Sequence, residues 1–278
     1  MAEQNKAPSP MELMERCCRR PWEAYVPPIR MAENVYYIAG NDWVSCFLID
    51  TRDGLVLIDT AMHETVYLLL ENLRILGYKP SDIKKILISH AHIDHLGGAR
   101  TLKELTGAKL YLGKRDLLFV TERKDLIGGD GLYTCGGIYP DELYDDNTPI
   151  NLGNISIKTI STPGHTPGCT SFFFDVQERG RTLRCGMHGG LGINTMGRKY
   201  FEESGLPISL RDEFVQGLRD MDKQKVDVCL PSHTNQAEIL GLVDKIRDDF
   251  NPYDDPQVWH TMLNKRLNLT LDFFKQDP

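Results

Sequence analysis

The sequence predicts an α/β fold, and three observations carry that prediction. Short apolar runs bounded by turn residues recur in two separate groups, segments with helically spaced apolar residues follow them, and the C-terminal end reads as helix. At 278 residues the chain is long enough to bury a substantial core. It divides into an arm over 1–33, one main domain over 34–234, and helices over 235–278 packed on that domain.

Taken in order, residues 11–20 have helical composition and stop at Pro21, and Trp22 and Pro27-Pro28 then mark an extended lead-in. Residues 34–39, 45–50 and 54–59 alternate or run apolar between the turn signals Gly40-Asn41-Asp42 and Arg52-Asp53-Gly54, which is the pattern of a β-meander. Residues 64–76 place Val66, Leu69, Leu70, Leu73 and Leu76 on one face of a helix that ends at Gly77. Residues 84–88 form a buried strand, 98–106 a second helix closed by Gly107, and 109–112 a further strand, so these are β–α–β units of one sheet. Residues 114–119 make a short helix. Residues 121–149 are polar, rich in glycine and tyrosine and without a period, as expected of a loop that flanks or covers a site. Tyr133 and Tyr139 are its candidates for stacking on a substrate, the alternative being ordinary surface tyrosines. Strands over 155–160, 170–175 and 182–185 open a second meander. Helix 211–221, strand 226–230 and helices 237–250 and 255–274 complete the chain.

The stretch around which the rest is organised is Ser89-His90-Ala91-His92-Ile93-Asp94-His95-Leu96-Gly97-Gly98, between a strand and a helix. His90 and His92 can share a face because alternate residues of an extended segment do, and Asp94 and His95 follow as the chain bends into helix. Four metal-ligand side chains within six residues point to a metal site rather than to solvated loop histidines with a capping aspartate.

This His-x-His-x-Asp-His run resembles the metallo-β-lactamase superfamily. The resemblance implies an αββα sandwich with the active site at one edge of two packed sheets, duplicated halves, and further ligands on later loops. His165, in Thr162-Pro163-Gly164-His165-Thr166-Pro167-Gly168, matches the family's second ligand loop, and His233, after the apolar strand in Leu230-Pro231-Ser232-His233-Thr234, its last. The implied sets are His90, His92 and His165 for one ion and Asp94, His95 and His233 for the other. Zinc is the first choice, two per chain, with iron or manganese behind it. Two such cations lower the pKa of a shared water enough to give hydroxide at neutral pH and polarise a carbonyl, so the expected chemistry is hydrolysis, with Asp94 orienting the nucleophile. The family also places an aspartate at the end of the third strand, behind the metal loop. Asp59 stands there, either as that contact or as a cap for helix 64–76.

The sequence departs from the family at one informative place. Lactonase-like and glyoxalase II-like members carry a bridging aspartate where this chain reads Cys185-Gly186-Met187-His188-Gly189-Gly190. Its absence resembles metallo-β-lactamases of the third subclass, and with one less negative charge the site should favour anionic substrates. His188 is a candidate substitute ligand, proton donor, oxyanion contact or space-filling loop residue, with ligation least favoured because six ligands already complete the site; His63 is a candidate for the cleft entrance. A β-lactam-like cyclic amide or ester is the favoured substrate, and a cytoplasmic lactonase, thioesterase or other small-ester hydrolase is the alternative. A di-iron redox protein is discounted, because that branch carries Glu at the position of His92 as well as the bridging acid.

Composition sets the remaining bounds. A net charge of −7 argues against nucleic acid, and no run approaches the roughly 18 apolar residues of a membrane span. The resemblance implies a small-molecule substrate as partner; the sequence leaves the oligomeric state open. The N-terminus lacks the basic start and apolar core of a secretory signal, and the seven scattered cysteines read as reduced thiols, so the expected compartment is the cytoplasm.

Overall fold

A computed structural model describes residues 8–128 and 137–278. Helix α1 (Pro10–Arg19) opens it, capped by Ser9, which accepts from the Glu12 N–H while the Glu12 carboxylate returns to the Ser9 N–H. Four strands follow, β1 (Ile29–Ala32), β2 (Val35–Tyr37), β3 (Phe47–Asp50) and β4 (Leu55–Ile58), each antiparallel to the next. The extended lead-in after Pro27-Pro28 thus becomes an edge strand. Helix α2 (Val66–Ile75) crosses to β5 (Ile83–Leu87), which runs parallel to β4. Two helices, α3 (Ile93–Leu96) and α4 (Ala99–Thr106), lead to β6 (Lys109–Leu112), and α5 (Leu117–Thr121) precedes the short β7 (Glu142–Leu143). These seven strands form one sheet in sequence order.

The second sheet holds five strands in the order β12-β11-β10-β9-β8. Three of its strands, β8 (Ile150–Leu152), β9 (Ile155–Ser161) and β10 (Thr170–Glu178), lead by hairpins into β11 (Arg181–Met187). Helices α6 (Arg198–Ser204) and α7 (Leu210–Met221) then intervene before β12 (Val228–Cys229), which pairs parallel with β11. Helix α8 (Pro256–Gln276) closes the chain.

Alternation along β10 explains the layering. Phe172 and Phe174 point to the core shared with Leu57, Ile86 and Ile157, so the two sheets face each other there, whereas Phe173 points outward to Phe214, Trp259 and Leu263 of α7 and α8. On the far side of the first sheet, Leu69, Leu73 and Leu102 of α2 and α4 join the main core. The architecture is the expected αββα sandwich. No described helix is long and apolar enough to cross a membrane.

Two expectations need correction. No α-helix forms over 237–250: Leu240–Lys245 is a 3₁₀ segment, and a bridge joins Arg247 to Phe250. Gly241 lies mid-segment, where helix is disfavoured, and its N–H is taken by the Glu238 carboxylate at 2.7 Å. The strand expected over 226–230 is reduced to Val228–Cys229, though Asp227 and Leu230 still donate to the β11 carbonyls of Arg184 and Gly186.

Candidate metal centre

Strands β4 and β5 end side by side, and their ends build the first wall of the site. The Asp59 N–H donates to the Leu87 carbonyl, and Asp59 then takes φ +60, with Ala61 at +56, so the chain turns sharply after β4. Left-handed backbone is unfavourable for residues other than glycine, though aspartate tolerates it better than most. The buried carboxylate of Asp59 accepts from the Ser89 N–H and Ser89 hydroxyl, both at 2.7 Å, and from His95 Nδ1 at 2.7 Å. It caps no helix; α2 has no side-chain cap.

The histidines of the motif meet those of two later loops. His90 is buried and its Nδ1 donates to the Gly189 carbonyl at 2.7 Å, which leaves Nε2 without a hydrogen-bond partner. His92 Nδ1 lies 2.9 Å from His165 Nε2, and His95 Nε2 lies 3.2 Å from His233 Nε2. Asp94 Oδ2 is 3.5 Å from His95 Nε2 and 3.4 Å from His233 Nε2. His90, His92 and His165 form one cluster with donor atoms within 4.8 Å of one another, and His90, Asp94 and His95 form a second. His90 stands between them, and His233 approaches the second through Asp94 and His95.

Burial sets the charge of the cluster. Burial, reinforced by neighbouring imidazoles, holds His90 and His165 well below the ordinary histidine value, and burial brings His92 and His233 to about 4. These four rings are neutral at pH 7, so each offers a lone pair. Burial alone would raise Asp94 and lower His95; the imidazoles around Asp94 and the carboxylates around His95 reverse both, leaving Asp94 below and His95 above their usual values. Four neutral imidazoles, an ionised carboxylate and an orphaned buried Nε2, all converging, fit a divalent cation of the zinc type.

The loops that aim these rings are fixed by close approaches. Gly164 sits at φ +151 with Phe214 so near that a Cβ would lie 2.4 Å from its ring, which lets Pro163-Gly164 turn His165 inward. Thr195 Oγ1 donates to the His165 carbonyl at 2.8 Å and lies 3.2 Å from its Nδ1, directing Nε2 toward His92. At Gly189 a Cβ would stand 2.2 Å from the Thr170 carbonyl oxygen. No side chain fits there, and the residue presents only its carbonyl to His90.

Sequence reasoning missed the residue that ties the two ligand loops together. Asp116 is buried just before α5 and accepts from the Ala91 N–H at 2.8 Å, the Thr166 hydroxyl at 2.7 Å and the Gly168 N–H at 2.6 Å. An acid at a helix start reads from sequence as a cap, and this one makes no cap bond. Burial pushes its pKa up to about 6 against those three donors.

The remaining expected residues are spread more widely. His188 is buried, accepts from the Gly190 N–H at 3.2 Å through Nδ1, and belongs to neither donor cluster. His63 is exposed on a 3₁₀ turn, outside the lining of the cleft. Tyr139 is 62% exposed and likewise does not line it; Tyr133 lies outside the described residues. The cleft over the cluster is about 750 Å³ and is walled by Met14 of α1, Trp43, Asp125 to Gly128, the 190–195 loop, Tyr200 and Arg266. The segment 121–149, expected to flank the site, contributes to it through Asp125 to Gly128.

The sequence pattern of the metallo-beta-lactamase superfamily matches residues 40–199. The chain belongs to that superfamily. Among solved members it is similar to BJP-1, a subclass B3 metallo-beta-lactamase of Bradyrhizobium japonicum, with 27% identity and a TM-score of 0.80 over 94% of this chain and 96% of that one. Curated relatives include Glyoxylase B2 of Dictyostelium discoideum, 33% identical over 91 residues, and an N-acyl homoserine lactonase of Bacillus thuringiensis, 24% identical over 166 residues. These matches span 31% and 61% of the relatives' own lengths, and 32% and 50% of this chain.

Proposed function

We propose that this metallo-beta-lactamase superfamily member is a di-zinc hydrolase that opens a cyclic amide of β-lactam type. The observation that carries the reading is the turn after β11: in the stretch where other branches bring a bridging carboxylate, Gly189 brings only a carbonyl to His90 and has no room for a side chain. Likeness over nearly the whole chain to a subclass B3 enzyme supports it.

In this reading His90, His92 and His165 hold one ion and Asp94, His95 and His233 the other. When bound, zinc supplies Lewis acidity toward both a carbonyl oxygen and a water. The chain's own residues do the rest. Gly189 and Asp59 fix the tautomers of His90 and His95, so that each presents Nε2 to the site. Asp94 receives a proton on its carboxylate and orients the attacking water. Trp43, whose ring lies 5.2 Å from that of His233, shields the second set from solvent. Residues 34–234 carry the chemistry, while the arm 1–33 and the segment 235–278 contribute walls through Met14 and Arg266.

A second reading, hydrolysis of a lactone, thioester or other small ester in the cytoplasm, is supported by the sequence likeness to the Bacillus thuringiensis lactonase and by six cysteines that are all free among the described residues. A hydrolysis screen of the zinc-loaded chain across β-lactams, lactones, thioesters and phosphodiesters, run beside a metal count, separates the two. Turnover confined to lactones or thioesters would replace the first reading with the second.

A further inference from the structure

Helix α8 sends one residue into the cleft, Arg266, which shares the lining with His90, His165, His233 and Gln236. The acids of that cleft are already engaged. Asp94 faces His95 and His233, and Asp125 pairs with Arg123 at 2.8 Å. Arg266 is half-buried, and among the described residues its guanidinium has no carboxylate partner and donates no hydrogen bond. Burial lowers its pKa and no neighbouring acid raises it. Its positive charge also bears on His188 and His233, pushing both further toward the neutral form.

A guanidinium drawn partly out of water without a counter-charge is costly, and a carboxylate that accepts from it in a two-pronged arrangement offsets that cost with good geometry. Lysine would serve less well, because its ammonium is a more strongly hydrated point charge. The chain as a whole is negative, at −7, so an anionic molecule gains little from the general field and needs a local cation to be held. Arg266 is that cation, on the wall of the cleft that also carries the donor clusters.

We infer that Arg266 is a specificity-determining residue that receives the carboxylate of an anionic substrate while the scissile bond lies over the histidine cluster. The inference rests on the hydrolase reading and narrows its substrate class to carboxylate-bearing molecules.

The test compares benzylpenicillin with its methyl ester on the zinc-loaded full chain and on Arg266→Ala and Arg266→Lys. Losing a charge-assisted hydrogen bond should reduce the ratio of kcat/KM for acid over ester on the order of 10- to 100-fold in Arg266→Ala, chiefly through KM, with partial recovery in Arg266→Lys. An unchanged ratio would overturn the assignment. If the unaltered chain opens neither compound, the β-lactam reading fails separately, and calorimetric binding of hexanoate against hexanamide then judges Arg266. A preference for hexanoate that disappears in Arg266→Ala upholds it, and a preference that persists removes it.

Discussion

Asp59, directly after β4, and His95, in α3 beyond the parallel neighbour β5, meet at 2.7 Å with both side chains fully buried. The carboxylate accepts from Nδ1 and leaves His95 Nε2 aimed at Asp94 and His233, which is how a neighbouring acid sharpens a metal-binding imidazole. Asp59→Asn keeps the size of the side chain and removes its charge. It should weaken metal affinity roughly 10- to 100-fold. Competition with a chromogenic chelator measures this, and an unchanged affinity would show that His95 needs no such partner.

Asp116 acts on the loops rather than on the ligands. Its two oxygens serve three donors, and Asn offers only one acceptor oxygen, so Asp116→Asn leaves at least one buried N–H or hydroxyl unsatisfied. The expected loss of stability is about 1–3 kcal/mol, accompanied by a lower metal content because the His90 and His165 loops lose their common anchor. The pH dependence has a defined sign. The folded carboxyl sits at about 6, above the ordinary unfolded value, so between about pH 4 and 6 the folded chain keeps a proton that the unfolded chain has released. This group's contribution therefore favours the folded state at the acid end and declines as pH rises through that window. Denaturant titrations of both proteins across the window should show that slope in the unaltered chain and not in Asp116→Asn.

The contrast between these two acids shows which parts of the site were legible in the sequence. The motif from His90 to His95 is local, since its spacing and its position between strand and helix fix the geometry of four side chains at once. His165 sits in a Pro-Gly turn that is equally local. Asp59 was reachable through the family resemblance, which places an aspartate at the end of that strand. Asp116, the Gly189 carbonyl and Arg266 were not, because each acquires its role only when loops far apart in the chain are brought together. The segment 237–250 failed for a related reason: Ile239, Leu240, Leu242 and Val243 look like the face of a helix, but they are satisfied by packing against the main core around Gly241.

Asp94 is the one carboxylate among the six proposed ligands, and its position near both His95 and His233 gives it a second task beyond ligation. Two zinc ions per chain are expected after zinc loading. Asp94→Asn should lower kcat by roughly 100-fold or more, a typical contribution of positioned general acid–base chemistry, even where both ions are retained. Metal analysis by mass spectrometry beside steady-state kinetics checks both statements. Near-full turnover with two ions present would confine Asp94 to ligation.

His188 follows β11 at the place where a bridging acid would be looked for, and its surroundings argue that it supports the loop instead. Its Nδ1 accepts the Gly190 N–H at 3.2 Å, so the proton is on Nε2, which is buried and has no partner. Burial, with Arg266 adding to it, lowers its pKa to about 3, and the ring stays neutral in any working buffer. His188→Ala removes the acceptor and leaves a hole beneath the 190–195 loop that lines the cleft, which should cost about 1–3 kcal/mol for the unsatisfied N–H before any cavity is counted. Because Gly190 packs so closely on His165 that a Cβ would lie 2.9 Å from its ring, a sagging loop should also disturb substrate binding. The expected result is full metal content, a lowered Tm and a raised KM. His188→Asn, which returns an acceptor, should recover part of the Tm. Loss of one ion in His188→Ala, with Asn failing to restore it, would make His188 a ligand and the proposed set of six one short.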